Sequence, residues 1–201
     1  KSSAASDVYK RQTYNNVLVW RAMKALAHLY PERYGTLEQQ AEAVRRAVYA
    51  HCVFRDAEQK PYFGWSVDLK GQHNVYDEPP GSLQLLPYYG FCAPDDEIWG
   101  NTVAMIRAPS YAYSFADAPI AEIGCAHAPY PWILSLCNSL LCGYKEQAFR
   151  ELEQMEMDNG IACESVDPVL GTCTTGAAFA TCAGFLCHSM KQASKEASHA
   201  D

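Results

Sequence analysis

The chain has 201 residues and a formal charge of −7, with 16 basic against 23 acidic side chains. Apolar residues make up 49% of it and charged residues 19%, which excludes a disordered chain and argues for much surface to bury. The acidic balance also excludes a broad electrostatic footprint for nucleic acid.

The opening segment, KSSAASDVYKRQ (Lys1 to Gln12), is polar and small-residue-rich with no apolar period. It resembles a translated sequencing-adaptor scar and is set aside from fold reasoning. The native chain is then expected to start upstream. Residues 13–190 become the C-terminal part of one domain, and 191–201 a frayed polar tail.

Residues 13–30 place Val17, Trp20, Met23, Ala27 and Tyr30 at helical spacing, with Asn15 or Asn16 as candidate cap. The turn 31–35 ends that helix. Thr36, with Gln39 three residues on, reads as a capping box. It opens a second helix whose Leu37, Ala41, Val44, Val48 and Cys52 share a face, completing a helical hairpin. Tyr62, Phe63, Trp65 and Val67, followed by Lys70-Gly71, predict a short β excursion over 61–78.

Helix is expected again over 81–91, with Pro87 at a kink or an end. Another follows over 95–107, capped by Asp95, with Ile98, Val103 and Ile106 inward. The stretch 108–131 reads as irregular, and helices follow over 132–142 and 144–158. The second of these carries Phe149, Leu152, Met155 and Glu156 on one face, and Asp158-Asn159-Gly160 is its expected stop. A linker over 161–175 leads to a nearly all-apolar helix over 176–190.

Helix pairs joined by alternating short and long connections, with no repeat of roughly 20–50 residues, suit a toroid of helical hairpins rather than a solenoid. Its long loops gather on one face and build a site. The expected helices are too few to close such a ring, so an all-α, C-terminal partial barrel is predicted. The longest small-or-apolar stretch, Gly176 to Cys187, falls short of the ~20 residues of a membrane span, and no membrane partner is expected. Nine cysteines without a C-x-x-C pair point to reduced, buried thiols in a cytoplasmic protein and against a structural zinc site.

Three loop segments hold the uncommon polar and aromatic side chains: 76–82, 121–132 and 160–167. Each precedes a helix, so in a hairpin toroid they would share one rim. Carboxylates accept hydrogen bonds from sugar hydroxyls, and aromatic faces cover the apolar side of the ring. Glu164 is the central candidate, against its reading as a solvated loop glutamate. Asp77 and Glu78 each read either as a helix cap, since acids near a helix N-terminus are favourable, or as a sugar ligand, with ligation the first reading for Asp77 and capping for Glu78. His127 reads either as a structural histidine or as a sugar ligand, and Trp132 and Tyr130 as core or as stacking platforms. Glu122 is a further ligand candidate. Asp158 belongs to the helix stop, and the cysteines act as small hydrophobes.

In order along residues 13–190, several segments resemble glycoside hydrolase family 125, the metal-independent exo-α-mannosidases with an (α/α)6 barrel. TYNNVLVWRAM is similar to that family's helix opening, and YDEPPGSLQLLPYYGF to its acidic motif leading into a Pro-Ser-Leu-Leu helix. Asn101-Thr102 and Ser110-Tyr111-Ala112-Tyr113 echo its Asn-Pro-Tyr-Tyr segment. EIGCAHAPYPW resembles its Gly-Ile-Gly-Ser-Pro-His run before a tryptophan, GIACESVD its Met-His-Glu-Ser-Phe, and TTGAAFATCAGFL its final helix. The departures are Cys163 in place of a histidine, and Gly176 and Ala178 where Arg and Trp stand in the family.

The resemblance implies an inverting, exo-acting α-mannosidase that needs no metal or other cofactor, with a carbohydrate as partner. Glu164 would be the general base, and Asp77, Tyr76, Glu122, His127 and Trp132 would bind sugar. The general acid would lie upstream of residue 13, so this polypeptide would hold half of the catalytic pair and not turn over alone. Asp77 is the fallback acid within the chain. A glucoamylase-like hydrolase or a disaccharide phosphorylase on the same scaffold is the first alternative, although the three rim segments carry no Lys or Arg for a phosphate. A non-catalytic toroid that binds glycans or a protein partner is the second.

Overall fold

A computed structural model describes residues 11–197 of the chain. Its contacts divide into two units: residues through Tyr76 with Leu86–Val103, and Asp77–Leu85 with Ala104 onward. Residues 1–10 of the expected scar, and the last four of the expected tail, lie outside the described residues.

Unit one opens with β1 (Arg11–Gln12) and α1 (Thr13–Leu29), followed by the single turn α2 (Pro31–Tyr34) and α3 (Leu37–His51). α1 packs on α3, as the apolar periodicity predicts. Val17, Trp20 and Ala27 are buried on one helix, and Ala41 and Val48 on the other. The rings between them interlock. Trp20 meets Phe91 edge-on at 5.2 Å, and Tyr49 stacks on Phe91 at 5.6 Å.

The expected caps are corrected. Asn15 and Asn16 lie inside α1 and reach back to Gln12, Asn16 to its carbonyl at 2.7 Å. Thr36 is already helical in backbone and makes no side-chain cap bond, so no capping box forms.

The β excursion is present. β2 (Val53–Arg55) pairs antiparallel with β3 (Pro61–Phe63). β4 (Ser66–Val67) pairs with β5 (His73–Asn74) and with β1, where Arg11 faces Val67 and Gln12 faces Ser66. Asp56 and Asp68 each fold their turns by accepting two backbone N–H bonds. α4 (Glu97–Arg107) is capped by Asp96, which accepts the Trp99 N–H at 3.0 Å, and not by Asp95. On it, Thr102 takes the Phe63 N–H at 2.8 Å and Asn101 donates to the Pro61 carbonyl at 2.9 Å. These two side chains tie the β3 strand to the helix.

No α-helix forms over 81–91. The segment makes two single 3₁₀ turns, Pro79–Gly81 and Leu83–Leu85, and then a run of turns through Pro87 to Gly90, whose φ is +71°. Proline and the glycines break the ladder that a longer helix needs.

Unit two is built on α5 (Ile133–Leu141), whose residues from Ile133 to Leu140 are all buried. A helix covered on every side is a core element. α6 (Lys145–Leu152) and α7 (Ala180–Ala197) pack against it. α6 ends six residues before Asp158, earlier than the sequence pattern suggests. Asp158-Asn159-Gly160-Ile161 instead form a tight reversal, with Asn159 at φ +50° and Gly160 at φ +81°. Two successive left-handed residues are the signature of a hairpin turn, for which Asn-Gly is the preferred pair. The expected linker 161–175 likewise contains a hairpin, β6 (Ser165–Val166) against β7 (Cys173–Thr175), with a register shift at Ser165/Val166. α7 starts four residues later than expected and runs on through 191–197, residues expected to fray.

The chain is thus helix-rich, with three small antiparallel sheets among the described residues, a qualification of the all-α expectation. Its cysteines are free, and all but Cys173 and Cys187 are buried. Among the described residues, no helix is long and apolar enough to cross a membrane.

Candidate functional site

Glu164 is half-buried and sits immediately before β6. Its N–H is shared between the carbonyls of Thr175 at 3.2 Å and Gly176 at 3.0 Å, and its own carbonyl accepts the Ile133 N–H at 3.0 Å. The Thr175 hydroxyl donates to Oε2 at 2.8 Å. Backbone and carboxylate are therefore pinned between the hairpin and the first turn of α5. Gly176, at φ +59°, passes so close that a Cβ there would stand 2.5 Å from the Glu164 Cβ.

The loop before α5 supplies the neighbours. Gly124 lets it close: an added Cβ would fall 2.7 Å from the Tyr130 carbonyl oxygen. The Cys125 N–H donates to the Ala128 carbonyl at 3.1 Å, and Trp132 Nε1 donates to the same carbonyl at 3.1 Å. This tight loop presents the His127 imidazole outward. Its Nδ1 lies 3.3 Å from Glu78 Oε1 and 3.3 Å from Cys125 Sγ. Burial raises the Cys125 thiol above its ordinary range, and the nearby charges of Glu78 and Glu164 push the same way. Glu78, Cys125 and His127 thus form one cluster, and Glu164 is joined to the end of the same loop by the Trp132–Ser165 bridge and the Ile133 N–H.

The adjacent acids Asp77 and Glu78 exchange their expected roles. Asp77 is wholly buried; its Oδ2 accepts the Ser82 hydroxyl at 2.6 Å and its Oδ1 the Leu83 N–H at 2.8 Å. It caps its own turn and offers no oxygen to a sugar. Burial pushes its pKa up to about 7, partly offset by those two bonds. Glu78 makes no side-chain cap bond and reaches His127 instead.

Glu122 is also fully buried. Its Oε2 accepts from the Ser135 hydroxyl and from Arg107 Nη1, the latter at 3.3 Å. Arg107 donates further to Ser139 Oγ at 2.9 Å and Gln84 Oε1 at 3.2 Å, and its guanidinium lies 4.5 Å from the Tyr144 ring centroid. Beside this cluster Glu151 takes the Ala121 N–H at 3.2 Å. Burial first, and then the charge of Glu122, lift Glu151 to about 7.

Trp132 is only 3% exposed, and it meets His127 edge-on at 5.2 Å. It anchors the loop and offers no open face for stacking. Tyr130 is exposed. Tyr76 belongs to unit one, where its ring meets Trp65 edge-on at 4.9 Å.

Of the expected site, then, His127 comes together with Glu78 and Cys125, Glu164 is held between the β6–β7 hairpin and the start of α5, and Asp77, Glu122 and Trp132 become the frame. Sequence reasoning missed Arg107 and Glu151. The signal for Glu151 was its place three residues after the buried Ala148 on the inward face of α6.

The chain has a helical α/α fold similar to that of a Streptococcus pneumoniae metal-independent α-mannosidase, solved in a non-productive complex with α-1,6-mannobiose. The TM-score is 0.72 at 18% identity, over 90% of this chain and 45% of that one. The family model described as metal-independent α-mannosidase (GH125) matches residues 2–190, and the chain belongs to that family. No curated protein matches it.

Proposed function

We propose that this chain is the base-bearing part of an inverting, exo-acting glycosidase that removes terminal α-mannose, built as part of an (α/α)6 toroid. The observation that carries the reading is the hold on Glu164. Its backbone is fixed by three hydrogen bonds and its Oε2 by the Thr175 hydroxyl. A carboxylate fixed in this way is suited to take a proton from water as it attacks the anomeric carbon. His127 and Glu78 are the side chains positioned to receive sugar hydroxyls.

An inverting mechanism needs a second carboxyl, protonated, ~6.5–9.5 Å from the base, with the attacking water between sugar and base. Asp77 is unsuited to that part, because both its oxygens are bonded inside its own turn. This chain spans less than half the length of the solved chain it resembles. The general acid is assigned to a segment outside these residues, and the chain alone is expected not to turn over.

The test is Glu164→Gln in a protein of the relative's full length, assayed on α-1,6-mannobiose. Lost hydrolysis with retained mannoside binding supports the base. Undiminished hydrolysis removes Glu164 from the mechanism, and binding without hydrolysis by the unsubstituted protein would favour a glycan-binding module. A metal-independent hydrolase keeps its rate in chelator.

A further inference from the structure

Glu78, Cys125 and His127 bring a carboxylate oxygen, a thiol sulfur and an imidazole nitrogen within 4.8 Å of one another. We propose that these three side chains form a binding site for a thiophilic divalent cation, with Zn²⁺ as the physiological candidate.

Two of the three ligand spacings, those from the imidazole, match the ion, and the third lies within 4.8 Å. With Zn–S near 2.3 Å and Zn–N or Zn–O near 2.0–2.2 Å, the edges of a tetrahedron run to roughly 3.3–3.6 Å. Here His127 Nδ1 stands 3.3 Å from Cys125 Sγ and 3.3 Å from Glu78 Oε1. Three protein ligands leave a fourth position for water, the pattern of an open site. The donor set selects the metal too. A sulfur and an imidazole favour Zn²⁺, Co²⁺ or Cd²⁺ over Mg²⁺ and Ca²⁺, which take oxygen ligands. The loop is prepared for it, since Cys125 and His127 are two residues apart on a segment closed by Gly124 and the Trp132 Nε1 bond. Binding displaces the thiol proton to solvent and requires the imidazole proton on Nε2, so that the His127 Nδ1 contacts with Glu78 and Cys125 are exchanged for bonds to the ion.

The site lies on the loop whose Trp132–Ile133 end joins the proposed base, and a metal there occupies the imidazole and the Glu78 carboxylate. Zinc would therefore oppose mannoside binding, a consequence that rests on the proposed function. A metal-independent enzyme would in this way be inhibited by a metal it does not use.

Binding itself is tested without turnover, so failure of the site and failure of the mannosidase reading remain distinguishable. The chain is titrated with Co²⁺ alone. The expected result is one equivalent bound, with a near-ultraviolet thiolate-to-cobalt band and the visible bands of a tetrahedral ion, displaced by Zn²⁺. Cys125→Ser should abolish the thiolate band, and His127→Ala, at an exposed position, should weaken binding at least tenfold. Cys187→Ser, at the exposed cysteine, should leave both unchanged. A titration without the thiolate band, or a band that survives Cys125→Ser, overturns the site.

Discussion

Gly176 and Glu164 share one space: a single added carbon on the glycine would overlap the Cβ of the glutamate. The glycine also holds φ at +59°, which an L side chain adopts at a cost. Gly176→Ala is therefore strained twice. It is expected to destabilise the chain by more than about 1 kcal/mol in denaturant unfolding, and to displace Glu164 from Thr175. A variant as stable as the unsubstituted chain would show that the approach is looser than drawn.

The buried Asp77 makes stability depend on pH. Its folded pKa of about 7 lies above the ordinary carboxyl value, so the native state holds a proton that the unfolded chain releases. That advantage is complete below about pH 4 and is lost as pH rises through 7, a change of at most on the order of 4 kcal/mol. Glu151, also raised to about 7, acts in the same window and in the same direction. Denaturant unfolding at pH 5 and pH 8 should show the chain more stable at pH 5. Asp77→Asn should flatten the slope without removing it, because Glu151 remains. An unchanged slope would mean that Asp77 is not the buried acid.

The sequence makes some of this legible and hides the rest for physical reasons. The pairing of α1 with α3 is local, and the spacing of Val17, Trp20 and Ala27 records it directly. The choice between Asp77 and Glu78 is not local. Both acids precede the same turn, and the shorter side chain folds back onto the Ser82 hydroxyl and Leu83 N–H while the longer one reaches His127. Asn159-Gly160 is a turn pair wherever it stands; its reading as a helix stop fails because α6 has already ended at Leu152. Arg107 looks like an ordinary cation at a helix C-terminus. Its partners Gln84, Glu122 and Ser139 lie in three other segments, so nothing in its neighbourhood announces them.

Arg107 is the central cation of that buried cluster. With 11% of its side chain exposed and Glu122 fully buried, removing the guanidinium strands a carboxylate in the core. Arg107→Ala is expected to cost about 3–5 kcal/mol by urea unfolding. Arg107→Lys should recover only part of this, because a point charge cannot reach Glu122, Ser139 and Gln84 together. Full rescue by lysine would show that charge alone, and not the planar fork, holds the cluster.

Thr175 separates the positioning of the base from its chemistry. Its hydroxyl donates to Glu164 Oε2 at 2.8 Å and lies 2.5 Å from Ser165 Oγ, while its carbonyl takes the Glu164 N–H. Thr175→Val removes the first two contacts and keeps the third, along with the shape and the β-branching of the strand. In a protein of the relative's full length, kcat on α-1,6-mannobiose should fall about tenfold, the effect of ~1.4 kcal/mol of lost orientation, with KM little changed. Thr175→Ser should restore most of the rate, because it returns the donor. A purely structural role would instead lower the melting temperature of Thr175→Val and leave kcat per folded molecule intact. That outcome would detach Thr175 from the proposed base.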